Sequence, residues 1–474
     1  MQSRRDQVQA YFFVVGRLVS AVTTGRPDAI QSPYRRLNTG TVFGVLLAAV
    51  LMAIFGIYGL FVPGGDNSWR QDGAIVMDKT TGTRYVYLAG QLRPVLNYSS
   101  ARLATGGAGG GGQVKSVSRN SLGDTPVGQP IGITGAPDML PGADRLNRGP
   151  WTACVTPGDG TPQAGPQVTL LIGGPSRPGL TDAQAFLVST PDDGVHLVWQ
   201  GKRHRVGDRA VLDTLGYGDT RPLPVSAAWL NPLEQGEDVA APVTPGIGGA
   251  GPQVDGKPGV VGQVFRVRNP AIDSDQLYLL RADGVAALSR TTAALLLAAP
   301  DTKRAYPGGA VTPIEVGPAA LQGIPVAPGV DLVSGLPAQP PTLVTPPRDS
   351  YACVRYGPTD TGDMDVAAEV LPAAEVDAKA VPTAPHDAGT MADRTAVPAG
   401  GGVLARDLPA PGAAPGALHL ITENGMRYPV ADTAALGALG YAENAAVPVP
   451  AALLALLPTG PLLSTQAALQ TQGP

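Results

Sequence analysis

The chain has 474 residues, of which 15% are charged and 5% aromatic, and its formal net charge is −4 at pH 7. There is no basic stripe interleaved with aromatic residues, so the composition excludes a nucleic-acid-binding surface. The 62 Gly and 48 Pro residues exceed the usual proportions of about 7% and 5%, which indicates many turns and linkers.

Residues 1–40 form a short basic head. Residues 4–22 of this head place apolar side chains at helical spacing on one face. A basic amphipathic helix either lies on a membrane surface or docks onto a partner protein, and the sequence leaves both possibilities open. The candidate docking residues are Tyr11, Phe12, Val15, Leu18 and Val19.

Residues 41–62 contain no charged side chain over 22 consecutive positions. A helix rises about 1.5 Å per residue, so this segment is long enough to cross a hydrocarbon core of about 30 Å once. A cleaved signal peptide is the alternative, but it would lie nearer the start and end in small residues. The bulky residues Tyr58, Leu60 and Phe61 at the exit favour an uncleaved anchor. We therefore expect a single-pass membrane protein.

The charge of the head indicates the orientation of the anchor. Residues 1–40 hold six Arg and two Asp, which leaves 28 basic (34 − 6) and 36 acidic (38 − 2) side chains beyond them. Cytoplasmic flanks of membrane helices retain Lys and Arg. We therefore expect residues 1–40 in the cytoplasm and residues 63–474, the body, outside it.

Two cysteines, Cys154 and Cys353, both lie in the body. In an external domain such a pair most often forms a disulfide, although two buried free thiols are the alternative. The bridge would close a loop of 199 residues (353 − 154), worth about 5 kcal/mol in the chain-entropy account. With four His in the chain, no metal-ligand cluster is visible, and we expect neither a metal nor a cofactor.

The body contains an internal repeat. Residues 201–236 align without a gap onto 425–460 at an offset of 224, with 16 of 36 positions identical. Each copy is predicted to form a β-hairpin followed by a short helix, with Asp208 or Asp432 as the expected N-cap of that helix. Repeat-like units are therefore expected near 186–236 and 418–463, with weaker copies near 74–106 and 277–322. Hairpins combined with helices predict an α+β body.

Three stretches are rich in Gly, Pro and Ala and poor in large apolar residues: 104–113, 239–260 and 381–417. Their composition predicts flexible segments. The second contains Gly251, Gly256 and Lys257 at the GxxxxGK spacing of a phosphate loop. Pro258 replaces the hydroxyl residue that would hold magnesium, and neither a buried strand nor a helix is predicted to flank it. We interpret it as a linker, with nucleotide binding as the weaker alternative.

Several segments together resemble the EccB family of actinobacterial type VII secretion systems. They are the head 4–22, the anchor exit 59–63, the segments 73–76, 84–86 and 93–103, Trp151 near Cys154, the LGY-to-PVP elements of the repeat, and the terminal segment 457–461. The resemblance covers nearly the whole chain, and its motifs are specific in combination.

The resemblance implies a structural subunit of a secretion complex in the inner membrane. It further implies an elongated external part, with a β-rich central core, flanking repeats and bonded cysteines. The implied partners are the motor EccC, EccD, EccE, a mycosin protease and further copies of the chain. Some members of the family have been described as ATP-hydrolysing. An extracytoplasmic ATPase and a cell-wall-binding module are therefore the alternatives to a scaffold.

Overall fold

The structure is a computed structural model. It describes residues 3–472 except 27–32, 62–66, 107–112, 157–164, 175–176, 192–193, 271, 360–363, 384–389, 411–412 and 415.

The α-helices are α1 Arg4–Thr24, α2 Pro33–Phe61, α3 Tyr98–Thr105, α4 Arg119–Leu122, α5 Arg209–Thr214, α6 Ala227–Leu230, α7 Arg290–Ala298, α8 Ala373–Asp377, α9 Thr433–Leu439, α10 Ala451–Leu454 and α11 Thr465–Ala468. Short 3₁₀ helices cover Ala143–Arg145, Pro300–Ala305 and Glu443–Ala445.

The strands of the first half are β1 Ile75–Asp78, β2 Arg84–Leu88, β3 Gln91–Pro94, β4 Val114–Val117, β5 Trp151–Thr156, β6 Gln167–Ile172, β7 Gln184–Thr190, β8 Gly194–Trp199, β9 Lys202–Arg205, β10 Leu223–Pro224 and β11 Glu234–Gln235. Those of the remainder are β12 Ala250–Val254, β13 Lys257–Val260, β14 Val264–Asn269, β15 Ser274–Arg281, β16 Gly284–Leu288, β17 Ile314–Val316, β18 Thr342–Leu343, β19 Ser350–Pro358, β20 Met364–Pro372, β21 Val381–Pro382, β22 Arg394–Ala396, β23 Gly402–Leu408, β24 Leu418–Thr422, β25 Arg427–Val430 and β26 Val447–Pro450.

The membrane anchor is helix α2, which has 29 residues. Within the described chain it is the one helix with the length and composition to cross a membrane, over Leu37–Tyr58. The helix begins at Pro33, a residue whose fixed φ suits the first helical turn. It therefore includes residues 33–40, which the sequence assigned to the head, because the uncharged run marks only part of the helix.

Four sheets share one topology. In each, three consecutive antiparallel strands are followed by a helix and then by a fourth strand that pairs in parallel with the first. We number them repeat 1 (β1–β4 with α3), repeat 2 (β7–β10 with α5), repeat 3 (β14–β17 with α7) and repeat 4 (β23–β26 with α9). Repeats 2 and 4 contain the segments that align in the sequence.

The helix of every repeat has a side-chain N-cap. Asp208 accepts a hydrogen bond from the Val211 amide, and Asp432 accepts one from the Ala435 amide, which confirms the two predicted caps. Asn97 caps α3 and Ser289 caps α7 in the same way. Because a capping oxygen satisfies a free amide of the first turn, four residues of three types stabilise the same strand-to-helix connection.

A six-stranded central sheet joins the repeats, with the order β20-β19-β5-β6-β22-β21. It contains two antiparallel hairpins, β5–β6 and β19–β20, which meet along β5 and β19. The chain runs from the first hairpin into repeat 2 and from the second into β22 and repeat 4. Each half of the sheet is therefore followed by one strong copy of the repeat.

Repeats 2 and 4 pack on the same face of the central sheet and share its largest apolar core. Trp229 of α6 is fully buried there, and its indole N–H donates to the Ala153 carbonyl at 3.0 Å. Leu453 of α10, which aligns with Trp229 in the sequence repeat, is buried in the same core. The repeat thus places large apolar side chains from both halves against one sheet.

Repeats 1 and 3 pack on the outer sides of the other two. Leu103 of α3 lies in the core of repeat 4, and Leu295 of α7 lies in the core of repeat 2. The segment that follows repeat 1 contacts repeat 4 in the way that the segment following repeat 3 contacts repeat 2. The Tyr441 hydroxyl donates to the Pro141 carbonyl, and the Tyr217 hydroxyl donates to the Pro341 carbonyl. Each half of the body therefore consists of an inner and an outer repeat.

Two stretches that composition predicts to be flexible contain regular structure. The stretch 239–260 includes the hairpin β12–β13, and 381–417 includes β21, β22 and β23. The expectation is wrong for these strands because the few large apolar side chains that they have, among them Val254, Val403 and Leu404, are buried in cores shared with neighbouring elements. Of 104–113, residues 104 and 105 end α3, and 107–112 lie outside the described residues.

Candidate functional site

The residues with phosphate-loop spacing form a β-hairpin. Gly251 lies in β12, Lys257 begins β13, and the turn between them has Asp255 at φ 51° and Gly256 at φ 73°. A phosphate loop needs a helix after its lysine, whereas here another strand follows. Lys257 is exposed. The interpretation as a linker is therefore wrong, and the hairpin also lacks the frame of a phosphate-binding loop.

The head is the 21-residue helix α1. Tyr11 is 67% exposed, Phe12 is 68% exposed and Leu18 is 61% exposed, whereas Val19 is half-buried. Exposed apolar residues outside the predicted stripe widen this surface beyond one face; they are Phe13 and Val14. Such a surface needs to be covered, because large contiguous apolar patches on proteins mark contacts with membranes or partners.

The two cysteines form a disulfide that crosses the middle of the central sheet. Cys154 on β5 and Cys353 on β19 are direct partners in the strand register, and both are fully buried. The bond lies on the face opposite the core shared with repeats 2 and 4, among Leu171, Leu371 and Val376. It thus joins the two hairpins where they meet.

A buried carboxylate lies beside this disulfide. Glu369 on β20 is the register partner of Cys353, and its side chain is 0% exposed. Its nearest charged partner is the Arg355 guanidinium, with 3.7 Å between Nε and the carboxylate, and Arg355 also pairs with Asp365 at 3.0 Å. Burial raises the pKa of the Glu369 carboxyl to about 7, since the charge of Arg355 opposes this only in part.

Sequence reasoning did not identify Glu369. The available signal was a single acidic residue in the otherwise apolar segment Ala367–Leu371. The predicted site residues themselves lie on separate elements: the docking residues on α1, the cysteines on β5 and β19, and Lys257 on β13. Over the described ranges, no group of three or more His, Cys, Asp and Glu is placed to hold a metal ion.

A membrane helix, an exposed amphipathic helix and a body of four repeats on a disulfide-linked sheet define a membrane-anchored protein with a large repeat-containing body. The whole chain matches one protein family, described as "Type VII secretion system ESX-1, transport TM domain B", over residues 1–473. The chain belongs to this family, EccB, whose members are components of ESX secretion complexes in the inner membrane.

Two relatives show the extent of the similarity. The chain is 30% identical to the "ESX-3 secretion system ATPase EccB3" of Mycolicibacterium smegmatis, covering 97% of this chain and 89% of the relative. It is 31% identical to the "ESX-2 secretion system ATPase EccB2" of Mycobacterium tuberculosis, covering 98% and 94%. The similarity therefore includes the head, the anchor and the body.

Solved structures share the fold. A chain of an intact ESX-5 inner membrane complex superposes with a TM-score of 0.71 at 26% identity, covering 100% of this chain and 96% of that one. The EccB3 dimer from the ESX-3 core complex superposes with a TM-score of 0.68 at 28% identity, covering 84% and 100%. The repeat-bearing body is thus the fold of EccB proteins.

Proposed function

We propose that this chain is a structural subunit that forms the extracytoplasmic platform of its secretion complex. The observation that carries the proposal is the construction of the body. Two inner repeats share one core with the central sheet, and a buried disulfide joins the halves of that sheet. Such a body suits a rigid structural role, because a shared core and a disulfide hold its parts together.

We further propose that α1 lies in the cytoplasm and the body outside it. The arginine excess of the head supports this orientation, and so does the disulfide, since such bonds persist in oxidising compartments. Cysteines introduced at Ser3 and Gln253, both exposed, would report it in a background without Cys154 and Cys353. An impermeant thiol reagent on intact cells should label the second and spare the first; the reverse pattern would contradict the orientation.

The head helix α1 and the body would lie on opposite sides of the membrane, so each would have its own partners. We propose that the apolar surface of α1 docks onto cytoplasmic components of the complex, namely the motor EccC, EccD or EccE. The body would contact further copies of itself and a mycosin protease. The EccB3 chain forms a dimer in its solved complex, which supports contacts between copies. Membrane-surface binding by α1 is the competing possibility.

The relatives' names contain the word ATPase, so hydrolysis by this chain needs a direct test. We propose that energy comes from a partner, because the GxxxxGK residues form a hairpin with an exposed lysine. In a cell whose export requires this chain, substitution of the wild-type protein by the Lys257→Ala variant should leave export intact. If the variant folds and remains in the complex but loses both export and nucleotide hydrolysis, the chain is an enzyme instead.

A further inference from the structure

A large open cleft lies between repeat 2 and the segment 333–342, which we call the strap. The strap leaves repeat 3 and runs past the β8–β9 hairpin before β18 pairs with β7. The cavity has a volume of about 1120 Å³ and is lined by Trp199, Lys202, His204 and Glu237 on one side and by the strap on the other. This exceeds the roughly 300–1,000 Å³ of ordinary small-molecule pockets, so it has room for an extended ligand.

The internal repeat provides a comparison for this cleft. Repeat 4 has the corresponding hairpin, β24–β25, in which three polar residues of the cleft are replaced by apolar or aromatic ones, whereas Trp199 and Gln200 are replaced by Glu423 and Asn424. Lys202 corresponds to Met426, His204 to Tyr428, and Glu237 to Pro461. The residues that shape the hairpin are instead identical in both copies, namely Gly201 with Gly425 and Gly236 with Gly460.

In repeat 4 this surface is closed by packing. The Tyr428 ring is 2% exposed and lies in one core with Ile133 and Ala136, and Met426 and Leu140 pack against that core. Residues 133–141 occupy the place that the strap has in repeat 2, since Tyr441 bonds Pro141 as Tyr217 bonds Pro341. The same scaffold can therefore be filled with apolar side chains, and in repeat 2 it is polar.

Polar groups of the cleft are held in position. His204 is 1% exposed, and its Nδ1 lies 2.8 Å from the Glu237 carbonyl oxygen, whereas Nε2 has no hydrogen-bond partner within the described part of the chain. The Trp199 indole N–H donates to the Asp182 carbonyl at 2.8 Å, and its ring lies 5.8 Å from the His204 ring. The hydrogen bond of Trp199 fixes its orientation while the ring borders the cleft.

The cleft carries charged residues of both signs, with Lys202 beside Asp182 and Glu237, so it has no strong excess of one sign. Lys202 already pairs with Glu234 at 3.3 Å, and burial lowers the pKa of the His204 imidazole, so that it is neutral at neutral pH. Gln200 and Gln339 add side-chain amides from the hairpin and from the strap. An amide both donates and accepts, as a hydroxyl does, so these groups match a ligand rich in hydroxyls.

We propose that the cleft between repeat 2 and the strap binds a neutral oligosaccharide, with the Trp199 ring as its stacking surface. An aromatic ring offers a large apolar face to the C–H groups of a sugar, and the amides bind its hydroxyls. The volume suits several sugar rings in a row. A peptide would compete for the same amides, and the test below separates the two.

The test uses the full chain in lipid nanodiscs, because maltoside detergents present sugar head groups. Cellotetraose, chitotetraose and maltotetraose are titrated by calorimetry, together with a neutral Ala/Ser peptide of similar length. At least one oligosaccharide should bind and the peptide should not. Trp199→Ala should weaken binding by at least about tenfold, and Trp199→Phe should retain most of it.

The decisive variant combines Lys202→Met with His204→Tyr. It gives repeat 2 the residues that repeat 4 already accommodates, so it should fold, which the thermal unfolding midpoint would show, but it should not bind the oligosaccharide. The reciprocal Met426→Lys with Tyr428→His change would destabilise a packed core and is not suitable as a control. Absence of binding by all three oligosaccharides, equal binding by the double variant, or preference for the peptide would each overturn the proposal.

Discussion

Cys154 and Cys353 are direct register partners across β5 and β19, where the two hairpins of the central sheet meet. The residues between them include all of repeats 2 and 3. The bond therefore closes a loop of 199 residues and prevents the two halves from separating in the unfolded chain.

Replacing Cys353 by Ala should lower the free energy of unfolding by a few kcal/mol, with about 5 kcal/mol as the upper value for a loop of this length. Urea unfolding of the full chain in detergent, followed by tryptophan fluorescence, would measure this. Wild type treated with a reductant under unfolding conditions should show the same loss. Two alkylatable thiols in the native protein would contradict the disulfide itself.

Glu369 should make stability depend on pH. Its folded pKa is raised to about 7 from the ordinary 4.5, so between these values the folded state binds more protons than the unfolded state. The stabilisation is complete below pH 4.5 and is lost as the pH rises through about 7. Glu369→Gln should remove this loss. Compared with their difference at pH 4, the variant should gain about 3 kcal/mol of stability over wild type at pH 8.

Thermal unfolding of wild type and Glu369→Gln across this range would measure the difference. Asp365→Asn is the matched control, because Asp365 pairs with the same Arg355 but is exposed. Parallel pH profiles for wild type and Glu369→Gln would show that the buried carboxyl does not titrate as described.

Asp432 should stabilise repeat 4 through its cap. Asp432→Ala removes the acceptor of the Ala435 amide and should cost about 1 kcal/mol, whereas Asp432→Asn should cost much less because it keeps an acceptor. Hydrogen exchange would place the loss in α9, with Asp208→Ala affecting α5 instead. Equal effects of the Ala and Asn variants would argue against a capping role.

Much of this fold could be predicted from the sequence where the signal is local. The shared positions of repeats 2 and 4 indicated the hairpin and the caps, because N-caps and turn glycines depend on neighbouring residues. The central sheet could not be predicted in this way. Its strands β5 and β19 lie far apart in the sequence, with repeats 2 and 3 between them, and their pairing depends on packing rather than on any local pattern.

The candidate sites show the same division. Helical spacing predicts the apolar stripe that contains Phe12, but not the exposed Phe13 and Val14 beside it. The burial of Glu369 depends on the strands that pack around it. The hairpin at Asp255 and Gly256 was not predicted because the composition of the segment was interpreted as that of a flexible linker, although Asp-Gly is itself a hairpin turn signal. Composition averages over a segment and conceals such a pair.

The head should act through its apolar surface. Phe12→Asp places a charge on that surface, and burying an unpaired charge in a partner groove is costly. We expect normal membrane insertion of the variant but loss of the assembled complex in native gels. Gln9→Asp, which adds the same charge at another exposed position of α1, is the control and should assemble. Normal assembly and export with Phe12→Asp would contradict docking by the head.

The central claim is that this chain is a structural part of a secretion complex, and one measurement tests it most directly. The chain, tagged at its C-terminus and purified from its own membranes in mild detergent, should emerge in a particle containing several copies of itself and other type VII membrane components. Mass photometry and mass spectrometry would give the mass and composition of that particle. A chain that emerges alone, folded and with its disulfide intact, would contradict the account.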